Sequence, residues 1–265
     1  MPLEETFDDS LAYANFLIGH IRTAKSVDAI GVACDELSHY YRALGICELL
    51  VDCDVDAFFH FLIHGALTRK YYLARCLKEN GLDQPERRAN LLDPFFEAVA
   101  ANQLGLAGEI ASMSATVCLE DFEHPSDFEY ARVAHALIAP GDAGREDLRR
   151  ALTVYEEVLE GRPDVRLDVC AALAHGDPKG FAEAFPLLIE DHERQMDALQ
   201  DSIRSNDSTY APNCFVFVEG LALLRIADRA GLSTLREYSR CPGLARISSY
   251  QLFVPSSFPN LPLGA

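Results

Sequence analysis

The side chains best able to do chemistry in this chain are carboxylates and histidines, and each of their spacings stops short of a working site. Asp52, Asp54 and Asp56 alternate like the opening of a calcium loop. Such a loop needs glycine at its sixth position and a carboxylate at its twelfth, where this chain has Ala57 and Ile63. His192-Glu193 opens the zinc-protease helix pattern, but Met196 stands in place of the second histidine. His60 and His64 lie one helical turn apart with no third ligand nearby in sequence. Glu36-x-x-His39 is half of a di-iron signature whose other half does not occur. Gly176-Asp177-Pro178-Lys179-Gly180 lacks the Gly-Lys-Ser/Thr that cradles a phosphate, and there is no Gly-x-Ser-x-Gly elbow. These patterns lead us to expect no catalytic residue, no resident metal and no cofactor.

Two positions near the C-terminus have a structural reading. Glu219 is the sole charge in 211–224, so a partly buried carboxylate with a cationic partner is expected, and Arg225 and Arg246 are the nearest in sequence. Gly220 beside it would let another segment approach closely.

Charge says more than any motif. The 265 residues carry 41 acidic and 23 basic side chains, a formal net charge of −18. Residues 208–265 hold 3 acids and 5 bases, so the excess acid lies in 1–207. Within it, 89–131 has eight acids and no Lys or Arg. Five of those eight (Glu120, Asp121, Glu123, Asp127 and Glu129) fall in ten residues, interleaved with Phe122, Phe128 and Tyr130. Carboxylates beside exposed aromatics suit a protein interface, charge steering the encounter and rings anchoring it. The segment Glu120, Asp121, Phe122, Glu123, Asp127, Glu129, together with Asp52, Asp54 and Asp56, is therefore the expected partner-binding surface. Direct nucleic-acid binding is not expected, because it requires clustered Lys and Arg.

The elements that must position these residues are helical throughout. Apolar residues recur at 3–4 spacing, and no run alternates as a strand would. The spacing predicts helices over 10–24, 27–51, 54–79 (closed at Asn80-Gly81), 93–103, 106–114, 126–139, 145–160, 164–175, 178–203 and 214–230. Pro186 should kink or divide the ninth of these, 178–203. A polar break is expected at 205–208 and an extended tail from Cys241. Asp54, Asp93 and Asp177 each precede a helix whose first turn carries a phenylalanine, which reads as capping. The fold class expected is all-α, an irregular multi-helix bundle with stacked hairpins, forming one unit over 1–265, with 1–81 and 82–265 as the alternative division.

No basic residue precedes Arg22, so no secretory leader is expected. The least charged stretch, 98–119, is too polar to span a membrane. Eight scattered cysteines without a CxxC suit a reducing cytoplasm.

The stretch Phe217-Val218-Glu219-Gly220-Leu221-Ala222-Leu223-Leu224-Arg225-Ile226-Ala227-Asp228-Arg229-Ala230-Gly231 resembles the C-terminal signature of the bacterial immunity protein 49 family. Glu237-Tyr238 and Cys241-Pro242-x-Leu244-Ala245-Arg246 extend it. Upstream, Asp127-Phe128-x-Tyr130-Ala131-Arg132, Arg166-Leu167-x-Val169-Cys170 and Asp177-x-x-x-Phe181 are similar to other segments of that family. The resemblance implies a helical immunity protein, encoded beside a polymorphic toxin, that binds that toxin and protects its producer, with no catalytic residues carried over. A nuclease toxin, whose cleft is lined with basic residues, is the expected target. A helical adaptor without a toxin is the alternative, and a metallo-hydrolase using Glu36, His39, His60 and His64 is the third reading.

Overall fold

The computed structural model describes residues 2–139, 141–200, 202 and 207–247. Among them the chain forms eleven α-helices and no β-strand, the all-α class expected. The first three helices, α1 (Leu3–Thr23), α2 (Gly31–Cys47) and α3 (Val55–Lys78), pack in sequence order. Helix α1 buries Ala14, Leu17, Ile18 and Ile21, a 3–4 spacing that puts one apolar stripe against α2. Val27–Ala29 form a separate 3-10 turn, so the helix expected over 27–51 starts later; it ends in a π turn, Glu48–Asp52.

Both ends of α3 follow from its sequence. The Asp54 carboxylate accepts a hydrogen bond from the Ala57 amide at 2.9 Å, satisfying one of the first-turn donors. At the other end Asn80 takes a left-handed φ of 57°, and the Gly81 amide donates back to the Cys76 carbonyl at 2.9 Å. That is a Schellman closure in which the asparagine, rather than the glycine after it, adopts the left-handed conformation.

The remaining helices are α4 (Asp93–Ala100), α5 (Leu104–Met113), α6 (Pro125–Leu137), α7 (Gly141–Leu159), α8 (Val165–His175), α9 (Pro178–Gln200), α10 (Tyr210–Phe215) and α11 (Val218–Arg229). Helices α6 and α7 form one hairpin and α8 and α9 another, while α11 returns to pack on α4. Buried apolar side chains from Ala14 to Ala245 make a single contiguous cluster, which includes Phe58, Phe95, Tyr155, Phe181 and Phe185. No helix among the described residues is long and apolar enough to cross a membrane.

Two expectations need correction, and a third is narrowed from a kink or a division to a kink alone. Helix α9 runs through Pro186 undivided. Pro186 and Ala182 both lie on the exposed face, so water can serve the carbonyl that proline leaves without a donor, while buried Phe185, Leu188 and Ile189 hold the other face. Asp93 does not cap α4; its carboxylate turns to Arg42 and His39 instead. The helix expected over 214–230 is two helices, because Val216 and Phe217 are extended and the Phe217 amide donates to the Arg240 carbonyl at 2.8 Å. Of the expected extended tail, Gly243–Arg246 form a 3-10 turn, and 248–265 lie outside the described residues, as does 203–206 beside the polar break.

Candidate functional site

Where α2, α4, α6, α8, α9, α10 and α11 approach one another they leave a cleft of about 400 Å³. Its wall is polar: Arg42 from α2, Asn90 and Asp93 at the start of α4, Asp127 and Tyr130 from α6, Arg166 from α8, Asp191, His192 and Gln195 from α9, and Glu219 from α11. None of the residues lining it is a serine, threonine, cysteine or lysine. Phe217 closes one side, its ring stacked on His192 with centroids 4.2 Å apart. Helices far apart in sequence meet here, which is why no local motif predicts it.

Each arginine bridges two carboxylates. Arg42, almost wholly buried, places Nη1 3.0 Å from Asp93 and Nη2 2.8 Å from Glu97. Glu97 sits inside the fold beneath the cleft against Gly65 of α3, where a Cβ would collide with its carboxyl group. Burial raises Glu97 to about 8, more than Arg42 can offset while it also serves Asp93. Burial would raise Asp93 too, but Arg42 and His39 overcome it and hold that carboxyl well below the usual range. One cation cannot neutralise two carboxylates, so the more buried one keeps a proton. Across the cleft, Arg166 donates to Asp127 at 2.9 Å and to Asp164 at 2.8 Å, with its guanidinium carbon 4.8 Å from the centre of the Tyr130 ring.

Glu219 has no such cation. The Tyr130 hydroxyl donates to its Oε1, and the expected partners lie elsewhere. Arg225 reaches the Ala100 carbonyl at 3.5 Å. Arg246 pairs with Asp228 at 3.0 Å and bonds Thr234 at 2.7 Å, tying the segment after α11 back onto that helix. Burial raises Glu219 to about 7 against the smaller lowering effect of the Tyr130 hydrogen bond, so its carboxyl can take up or release a proton near neutrality. The Nε2–H of His192 donates to the Asn213 carbonyl at 3.1 Å, and burial lowers its pKa. Gly220 does permit the close approach expected of it: a Cβ there would meet Phe217 at 2.6 Å and the Cys241 sulfur at 2.7 Å.

The acidic segment divides into an outer and an inner part. Glu120 and Asp121 are exposed and Phe122 is half exposed, on a turn before α6. Glu123, by contrast, is buried; its two oxygens accept the Leu119 and Asn90 amides, each at 3.0 Å. Glu129 is also buried and pairs with Arg132 at 2.9 Å. Phe128 and Tyr130 are buried. The expectation that all five carboxylates face a partner is therefore corrected. Glu123 and Glu129 are spent inside the fold, Asp127 lines the cleft, and Glu120 and Asp121 project. Asp52 and Asp54 are exposed and Asp56 partly so. With Glu4, Asp8 and Glu48, Asp52 borders a shallow groove of about 180 Å³.

Among the described residues no group of three or more histidine, cysteine or carboxylate side chains is placed to hold a metal ion. His39 bonds Asp93 at 3.3 Å, and Glu193 bonds Arg240 at 2.8 Å, so the near-miss metal patterns supply structural contacts. Sequence reasoning missed Arg42 and the opening of the cleft to His192. It did single out Asp127, Tyr130, Arg166, Phe217 and Glu219, as members of separate motifs, and the fold gathers all five on one cleft. No family model, curated protein or solved structure matches the chain.

Proposed function

We propose that this chain is a cytoplasmic immunity protein that binds a basic protein toxin and blocks its active site, with a nuclease as the favoured target and with no catalysis or cofactor of its own. The observation that carries this reading is the rigid mounting of an exposed acidic-aromatic corner. Glu123 ties the turn to two backbone amides, and Glu120, Asp121 and Phe122 project from it. Carboxylates held in place lose little freedom on binding and can occupy the positions that substrate phosphates take against arginines. The net charge of −18 supplies steering toward a basic partner. The convergence of the dispersed motif residues on a neighbouring cleft adds support, because residues that only filled the core would have no reason to meet at an open, polar wall.

Co-production with the product of the adjacent gene tests the proposal. A stoichiometric complex in which that product loses its toxic activity is expected; free toxin with undiminished activity would refute it.

A further inference from the structure

We infer that the cleft is a binding site for a guanidinium or primary ammonium group, held by the Glu219 carboxyl with an oxygen of Asp127. The inference rests on which polar atoms the fold has already used. Most donors of the wall are committed; Arg42 Nη2, buried 2.8 Å from Glu97, has no hydrogen-bond partner. Arg42 faces Asp93 and Glu97, Arg166 faces Asp127 and Asp164, the Tyr130 hydroxyl donates to Glu219, and His192 donates to Asn213. The acceptors are not. Tyr130 engages only Oε1 of Glu219, and Arg166 engages only Oδ1 of Asp127. A wall with few free donors and spare carboxylate oxygens repels an anion and accepts a donor-rich cation. Because each arginine already faces two carboxylates, neither leaves net positive charge to attract a phosphate or carboxylate. The volume of about 400 Å³ lies within the range of small-ligand sites and exceeds what a bare guanidinium fills.

Such a cation has two sources, a free small molecule or an arginine or lysine side chain of a bound protein. The inference stands on the cleft's own atoms, so its failure and that of the neutralisation proposal are separate results. Calorimetric titration of the full chain with butylguanidinium, and with butylurea as its uncharged isostere, tests it. The expected result is saturable one-to-one binding of butylguanidinium, with the urea and the Glu219→Gln variant each weaker by about tenfold or more, and with Asp28→Asn, an exposed control, unchanged. A shift of the His192 ring resonances during the titration locates the ligand without any variant. The capped tripeptide acetyl-Gly-Arg-Gly-amide separates the sources: binding comparable to butylguanidinium assigns the cleft to a side chain, and exclusion of the peptide assigns it to a free cation. No saturable binding, equal binding of the urea, a folded Glu219→Gln that binds as well as the parent, or binding that leaves His192 unmoved would each overturn the inference.

Discussion

At Arg42 a single guanidinium serves two carboxylates of unequal burial, and the consequence is a pH-dependent stability. Glu97 is fully buried and raised to about 8, while Asp93 is held low. A group whose folded pKa lies above its unfolded value holds an extra proton in the folded state, so its contribution is complete at low pH and is lost as pH rises through the folded pKa. For Glu97 the loss extends from its unfolded range near 4.5 up to about 8. Glu219, raised to about 7, and His39, also raised, act in the same direction. The histidines with lowered pKa, His64, His135 and His192, have the opposite sign, but they are mostly neutral in both states above pH 7. Between pH 7 and 8.5 stability should therefore fall, with Glu97 alone contributing roughly 1 kcal/mol per pH unit. Glu97→Gln should flatten that slope. Chemical denaturation at pH 7.0, 7.8 and 8.5 checks it, and an unchanged slope in a folded variant would mean that Glu97 is ionised throughout.

Elements here end and turn where one residue's polar atoms find a distant partner. The extended pair Val216-Phe217 separates α10 from α11 because Arg240 supplies the acceptor for the Phe217 amide, and Cys241 then lies against Gly220. Gly220→Ala should cost about 1–3 kcal/mol, since the new Cβ would overlap both the Phe217 ring and the Cys241 sulfur; a thermal melt measures it, and an unshifted midpoint would contradict the packing described. Glu123→Gln leaves one of two part-buried amides without its acceptor, a cost of about 1 kcal/mol, with faster hydrogen exchange at Leu119 or Asn90. Glu120→Gln, three residues away and exposed, should change stability by no more than about 0.5 kcal/mol. The same logic decides what sequence reasoning could reach. The Asp54 cap and the Asn80 closure of α3 use atoms within five residues and were legible. Asp93 looks like a cap by the same local rule, and only the fold shows Arg42, fifty-one positions earlier in the chain, taking its carboxylate. The Val216-Phe217 break was hidden for the same reason.

For the whole molecule, the charge imbalance and the helical periodicity were both legible, because neither depends on which helix meets which. The cleft was not, because seven helices build it. Glu219 stood out in sequence as an isolated charge, yet its partner proved to be Tyr130, a neutral donor on α6, rather than either arginine near it. The acidic corner was legible as a segment but not in its division, which depends on Glu123 reaching Asn90 across the fold. That division sharpens the test of steering. Reversing Glu120 and Asp121 together, with Glu123 left in place to keep the turn, should slow association with a basic partner several-fold, most strongly at low salt, while stability stays unchanged. Equal association rates for parent and variant would remove this corner from the interface.

The central claim is neutralisation of a basic toxin, and its most direct measurement is the activity of the adjacent gene's product assayed with increasing amounts of this chain. Toxic activity should fall linearly to zero at one equivalent, with the Glu120→Lys/Asp121→Lys variant reaching the same end point more slowly. Full toxin activity in the presence of excess folded chain would contradict it.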